Sequence, residues 1–182
     1  MTSPASVEGD ERLRLFLAYR LPGDVVDALA AWQARELRGR IVPPGNLHVT
    51  LAFLGPRPAR ELPAVLGVLE RAARAAAAPV FEVLRWRETR SAGMLALDDR
   101  TGRSVQLAGR LHDELAARGL FRPERRPWLP HVTVLRFRER PRLRPPLPEL
   151  APFVPSGAAA FLSRLHPSGA QYEVLETFRL GG

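Results

Sequence analysis

Leu47-His48-Val49-Thr50-Leu51 and Pro130-His131-Val132-Thr133-Val134 are nearly the same pentapeptide written twice, 83 positions apart (131 minus 48). Each sits in an apolar, β-branched run, so each reads as a strand. Along a strand, residues i and i+2 point to the same face. His48 and Thr50 therefore share one face, with Val49, Leu51 and Phe53 on the other. His131 and Thr133 likewise share a face, opposite Val132 and Val134. A His beside a Thr, repeated, describes two half-sites closing on one small polar substrate. The rest of the chain then reads as the scaffold that brings them together.

Working outward, Arg12 to Arg20 alternates, with Leu13, Leu15, Leu17 and Tyr19 on one face and Arg12, Arg14, Phe16 and Ala18 on the other. This predicts a first strand. Pro22-Gly23-Asp24 punctuates the chain, with Asp24 as a helix N-cap, and apolar residues at helical spacing predict a helix over 24–38. The turn Pro43-Pro44-Gly45-Asn46 leads into the first His-Thr strand, 47–54, which Gly55-Pro56 is expected to end. The stripe Leu62, Val65, Leu66, Leu69, Ala73 and Ala76 predicts a helix over 59–77. A strand pair follows at 80–87 and 93–97, then a helix at 104–118. An Arg- and Pro-rich loop, 119–130, feeds the second His-Thr strand, 130–138. A further Pro/Arg loop, 139–157, is expected to be the least ordered internal segment. Two strands, 158–165 and 172–180, close the chain around a turn at Pro167-Ser168-Gly169. The order β-α-β-α-β-β-α-β-β-β, with each His-Thr strand after a helix and a turn, predicts an α+β domain of two similar lobes with a cleft between them.

The chain has 182 residues and 46% hydrophobic content, enough for one well-buried domain. No apolar run approaches the roughly 20 residues of a membrane span. Residues 1–10 are polar, carry no signal core, and are expected to be a flexible tail ahead of a single domain over 11–182. The expected location is cytoplasmic. There is no cysteine, which removes disulfides, thiolate metal sites and cysteine nucleophiles. The net charge is +8, and all 27 basic residues are arginine. GC-rich codons account for that bias, but its consequence is chemical. Without lysine there is no Schiff base, no P-loop lysine and no lysyl adduct for an ATP-dependent ligase. The positive field favours anionic partners such as RNA or nucleotides.

Histidine is the side chain whose ordinary pKa, about 6.5, lies near neutrality. Two of them facing each other can divide general acid–base work, one taking a proton from water and the other giving one to a departing oxygen. Phosphodiester cleavage needs both. A threonine hydroxyl two residues along can donate to a phosphate oxygen where charge builds up. The scheme calls for no metal and no cofactor. A single strand histidine is more often structural, and the repetition is what argues against that reading here. A zinc site using His48, His131 and a third histidine is the other chemical reading. No HxxxH spacing or acidic partner accompanies them.

At these residues the chain resembles the 2H phosphoesterase superfamily, named for two His-x-Thr-x motifs. It is most similar to the bacterial and archaeal RNA 2′,3′-cyclic phosphodiesterase branch, formerly called 2′-5′ RNA ligase. The resemblance covers about residues 12–180. It is carried by Leu15-Phe16-Leu17-Ala18 with Leu21-Pro22, by Asn46 through Gly55, by Pro130 through Arg136, and by Ser163 through Tyr172. It implies a bilobal α+β fold, two antiparallel-sheet lobes with outer helices around a central groove that carries both motifs. It implies metal-free hydrolysis of an RNA terminal 2′,3′-cyclic phosphate to a 2′-phosphomonoester. His48 would be the proton donor and His131 the proton acceptor, an assignment that the residues alone leave open. Thr50, Thr133 and Arg136 would hold the phosphate. Arg136 stands five residues after His131, so strict alternation puts it on the wrong face, and a twist, bulge or strand end must re-aim it. Ile41 and Gly45 replace aromatic and acidic residues often seen before the first motif, which bears on groove shape. The ligase activity of the older name is the reversal of ring opening.

Trp128 and Arg126, just before the second motif, are candidate RNA contacts by stacking and charge, or else a staple holding the loop. His166, after a strand and before a turn, is a third candidate contact. His112 reads as structural, and Phe53 and Trp32 as core. The expected partner is RNA or an oligonucleotide with a 2′,3′-cyclic end, with no membrane and a monomeric protein. Two rivals stand beside this reading. One is a non-catalytic RNA- or nucleotide-binding module of the same fold. The other is a phosphodiesterase for a small cyclic nucleotide or ADP-ribose 1″,2″-cyclic phosphate.

Overall fold

The alternating segment at the start of the chain is β1, Arg12–Arg20, the spine of one half of the molecule. On one side it pairs antiparallel with β3, His48–Pro58, which carries the first motif. On the other it pairs with β7, Gly157–His166, and β8, Gly169–Phe178, forms the outer edge. The second half contains β4 (Glu82–Glu88), β5 (Ala92–Asp98) and β6 (His131–Arg136), with the two-residue β2 (Arg40–Ile41) flanking β6. In this computed structural model, which describes residues 11–181, the strand order is β4-β5-β6-β3-β1-β7-β8, with β2 beside β6. The tail expected at residues 1–10 lies outside the described residues. The two lobes meet at a single antiparallel pair, Val49 opposite Val132. Beyond it β3 and β6 part, and β2 takes up the free flank of β6 through Arg40–Arg136 and Ile41–Leu135.

Three helices cover the side away from the groove: α1 (Gly23–Glu36), α2 (Leu62–Arg74) and α3 (Arg103–Ala117). Helix α1 backs the second lobe. Its Trp32 ring lies 6.4 Å from Trp86 of β4, and its buried Gln33 amide donates to the carbonyls of Val134 (2.8 Å) and Val42 (3.1 Å). A buried amide left without those acceptors would cost about 1–3 kcal/mol, so Gln33 ties α1 to the strand carrying the second motif. Helices α2 and α3 lie against the first lobe. The α2 stripe Val65, Val68, Leu69, Ala72 and Ala73 is fully packed, each large apolar residue contributing about 1.5–3 kcal/mol. His112 of α3 donates from Nε2 to the Leu51 carbonyl at 2.7 Å, the structural role expected of it. One apolar cluster, with Trp32 at its centre, runs through both lobes. Among the described residues no helix is long and apolar enough to cross a membrane.

Several sequence expectations need correction. β3 does not stop at Gly55-Pro56 but continues to Pro58. Past Val49 its far side has no strand partner, so prolines without an N–H are tolerated there. Asp24 is not the cap of α1; it lies in the first turn, where its charge suits the helix dipole, and Pro22 precedes the helix. Phe53 is not core: it is 48% exposed, for a reason that β3 itself supplies. β3 carries one more residue than β1 between the pairs Leu17–Ala52 and Ala18–Thr50. That extra residue, Leu51, makes a bulge and resets the alternation, so Phe53 turns to the same side as His48 and Thr50. The loop over 139–157 has no regular structure up to Ser156, yet it is tied down: Trp32 donates to the Pro146 carbonyl, Glu88 accepts from Arg142 and Leu143, and Phe153 bridges Phe81.

Candidate active site

The single Val49–Val132 pair is the geometric centre of the site. Both valines point into the core and are buried. Their neighbours on either strand, His48, Thr50, His131 and Thr133, therefore point to the opposite face and surround the bridge. The face opens into a cavity of about 800 Å³ lined by His48, Thr50, Thr133 and Arg136, together with Arg14, Phe16, Arg40, Phe53 and Tyr172. His131 is half-buried and stands on this face beside the cavity rather than in its lining.

Each histidine is oriented by its own strand. The His48 Nδ1–H donates to the Asn46 carbonyl at 2.7 Å, and the His131 Nδ1–H donates to the Leu129 carbonyl at 2.9 Å. A carbonyl can only accept, so both rings carry hydrogen on Nδ1 and turn Nε2 outward. The Nε2 of His48 lies 2.9 Å from the Thr50 hydroxyl, which donates to it while the ring is neutral. Asn46 is held in turn, its amide donating to the Ala170 carbonyl of β8 at 2.8 Å.

His48 sits in an aromatic nest, with ring centroids of Phe16, Tyr172 and Phe161 at 4.9, 5.5 and 6.0 Å. Burial there pushes its imidazole down to about 4; the bond to Asn46 opposes the shift, and positive charge at His131 and Arg136 adds to it. The nest forms a small apolar cluster of its own, Phe16, Ala18, Ala159 and Phe161 with Tyr172, on the groove side of the first lobe. Phe53 continues the row, stacked 6.4 Å from Phe16 with the Arg14 guanidinium 4.8 Å above its ring.

Arg136 reaches the groove by the same device as Phe53. β6 carries one more residue than β5 between the pairs Gly93–Leu135 and Met94–Thr133. The extra residue is Val134, and it re-aims Arg136 to the face of Thr133. The structure thus brings together His48, Thr50, Thr133 and Arg136, with His131 at their side. It does not bring Trp128, Arg126 or His166 into the lining. Trp128 is half-buried against the core and donates from its indole to the Thr50 carbonyl at 3.0 Å, stapling the loop to the first motif strand. Arg126 and His166 are exposed outside the cavity. Sequence reading missed the nest, whose parts lie on β1, β7 and β8. The only local signal was Phe16 standing with Arg14 on the polar side of its strand. Among the described residues, no group of three or more His, Asp or Glu side chains could hold a metal ion.

The sequence profile of the 2′-5′ RNA ligase superfamily matches residues 21–167. The chain is 36% identical to an RNA 2′,3′-cyclic phosphodiesterase of Thermus thermophilus, over 93% of this chain and 91% of that one. Among solved structures it is similar to TT0787 of Thermus thermophilus, with a TM-score of 0.80 and 31% identity over 93% of this chain and 99% of that one. It is also similar to Escherichia coli LigT complexed with 3′-AMP, with a TM-score of 0.76 and 25% identity over 94% of this chain and 100% of that one.

Proposed function

This chain belongs to the 2′-5′ RNA ligase superfamily and is an enzyme, a cyclic phosphodiesterase; from that premise we propose that His48 and His131 serve as acid and base in opening an RNA terminal 2′,3′-cyclic phosphate to a 2′-phosphomonoester. The observation that carries the assignment is the ring of His48, Thr50, His131 and Thr133 around one strand pair, with both Nε2 atoms turned outward.

In the proposed step, His131 Nε2 takes a proton from water as the water oxygen bonds to phosphorus. The P–O3′ bond breaks, and His48 Nε2–H delivers its proton to O3′, leaving phosphate on O2′. Thr50, Thr133 and Arg136 hold the non-bridging oxygens, which gain charge in the transition state. A proton donor must arrive protonated, yet His48 is neutral near pH 7 in the free protein. The substrate supplies the remedy: its phosphodiester anion offsets the positive charges of Arg136 and His131 and favours imidazolium. Protonation also reverses the bond to Thr50. Nε2 becomes a donor, and the Thr50 hydroxyl hydrogen is freed for the phosphate. The terminal base lies over Phe53, an exposed aromatic face capped by Arg14.

The low value of His48 favours one rival division of labour, with His48 as base and His131 as acid. Activity assays with EDTA present, over a range of pH, test the scheme as a whole. Turnover should be unaffected by EDTA and should follow a bell-shaped pH profile. Loss in EDTA with recovery on adding zinc would replace acid–base chemistry with a metal site, and binding without turnover would leave a binding module.

A further inference from the structure

A second cavity, of about 710 Å³, lies at the open edge of β4 and is lined by Arg85 and Arg87 of that strand and by Arg140, Arg142 and Arg144 of the following loop. All five arginines are exposed. Arg140 pairs with Glu88 at 3.1 Å, while the guanidinium groups of the other four meet no side-chain or backbone partner among the described residues. Four unneutralised guanidinium groups around one cleft repel one another, an arrangement that an anion relieves.

The cleft is built, not a chance gathering of long side chains. The Glu88 side chain is 2% exposed, and its carboxylate accepts from the consecutive N–H groups of Arg142 (3.1 Å) and Leu143 (2.6 Å) as well as from the Trp86 indole (3.4 Å). Arg142 adopts a φ of 56°, which lets both N–H groups converge on one carboxylate. The arginine loop is thereby fixed against the end of β4.

Register links this cleft to the active-site groove. Arg85 pairs with Ala96, which pairs with His131; Arg87 pairs with Met94, which pairs with Thr133. Directly paired residues share a face, so Arg85 is level with His131 and Arg87 with Thr133 on the groove side of the sheet. Two strand spacings place them about 10 Å away. A polyanion fixed at Thr133 by its end meets Arg87 and Arg85 next, and the loop arginines beyond.

We propose that the β4-edge arginine cleft binds the sugar–phosphate backbone of the RNA on the 5′ side of its cyclic end. This rests on the cyclic phosphodiesterase reading for where the RNA end lies. Arginine suits the task because its planar fork takes phosphate oxygens in pairs. The contacts are to phosphate, so the cleft confers affinity and length preference without reading sequence.

The test is fluorescence anisotropy with a labelled decaribonucleotide ending in a 2′-phosphate, across a salt series. The proteins are wild type, Arg85→Glu/Arg87→Glu, the milder Arg85→Gln/Arg87→Gln, and a charge-matched control on the helices, Arg35→Glu/Arg110→Glu. The Glu pair at β4 should weaken binding at least tenfold at low salt, the Gln pair about threefold or more, and the control less than threefold. The log–log salt slope should flatten by about one in the Gln pair, since each single-strand phosphate contact contributes about 0.7. Equal binding by the β4 variants and the control overturns the proposal and leaves the cleft to an acidic protein partner. The Gln pair decides the matter should the Glu pair fail to fold. Hydrolysis of a cyclic mononucleotide by the same proteins is a separate readout. If wild type does not turn it over, the enzymatic reading falls while the binding result stands.

Discussion

His48 and His131 each donate from Nδ1 to the carbonyl two residues upstream, and each is followed by a threonine at the second position, a bulge residue at the third and a groove-facing side chain at the fifth. Around the first, that fifth residue is Phe53, and the same face continues through Phe16 to Phe161. Around the second, it is Arg136, and the rows beyond lead to Arg87 and Arg85. One backbone plan is therefore used twice with opposite dressings, apolar rings on one lobe and guanidinium groups on the other. The lesson is that a repeated motif fixes where functional groups stand, while the neighbouring strands decide what charge they can carry. An imidazole walled by rings loses its proton, and a phosphate has a reason to sit toward the arginine side.

The largest effects should come from removing what the half-sites share. His48→Ala and His131→Ala should each lower kcat/KM by roughly 10²–10⁴. The double variant should be little worse than either single one, because the two act in one step. A strong loss in only one would leave the other half-site as scaffold.

Next in size is the position where the halves differ. Arg136→Gln should cost on the order of 10² in kcat/KM, the scale for one charge-assisted donor to a transition-state oxyanion. A loss confined to KM would make Arg136 a steering charge only.

The aromatic nest should be visible in the titration of His48 by NMR. Free protein should show a midpoint well below the ordinary histidine range, near 4, and bound 2′-AMP should raise it. A midpoint that stays low with nucleotide bound would hand the proton-donor role to His131. The same depression fixes a stability trend. The unfolded chain takes up the His48 proton below about pH 6.5 and the folded one only near 4, so stability falls as pH drops through that window. The loss is roughly 2–3 kcal/mol by the bottom of it. His48→Asn should remove that part of the slope, as thermal melts across the window would show.

The smallest effect belongs to the far end of the aromatic row. Phe53→Leu should raise KM for a cyclic nucleotide by about tenfold with kcat held, as expected for losing one base-stacking face. A fall in kcat instead would place Phe53 nearer the chemistry.

Both motif strands, the helices that back them and the two-lobed α+β plan were legible in the sequence because periodicity is local. So was the sharing of a face by His48 with Thr50 and by His131 with Thr133. Arg136 was legible only as a problem, since alternation forbade the face on which it is needed. The missing information was the bulge at Val134, which is a relation between β6 and β5 and exists in neither strand alone. The error over Phe53 has the same origin in the bulge at Leu51. Tyr172 and Phe161 meet His48 from β8 and β7, more than 100 positions away along the chain, so nothing near the motif announced the nest. Trp128 offered two roles, and the structure gives its indole N–H to the Thr50 carbonyl.

The central claim is that two unlike half-sites perform one acid–base reaction on a cyclic phosphate. Phosphorus NMR of a short RNA ending in a 2′,3′-cyclic phosphate, with EDTA present, tests it directly. With wild-type protein the cyclic signal should give way to that of a 2′-monophosphate, and with His48→Ala or His131→Ala it should persist. A 3′-monophosphate would contradict the assignment of the leaving oxygen. A cyclic signal untouched by the wild-type protein, or consumed equally by all three proteins, would contradict the account itself.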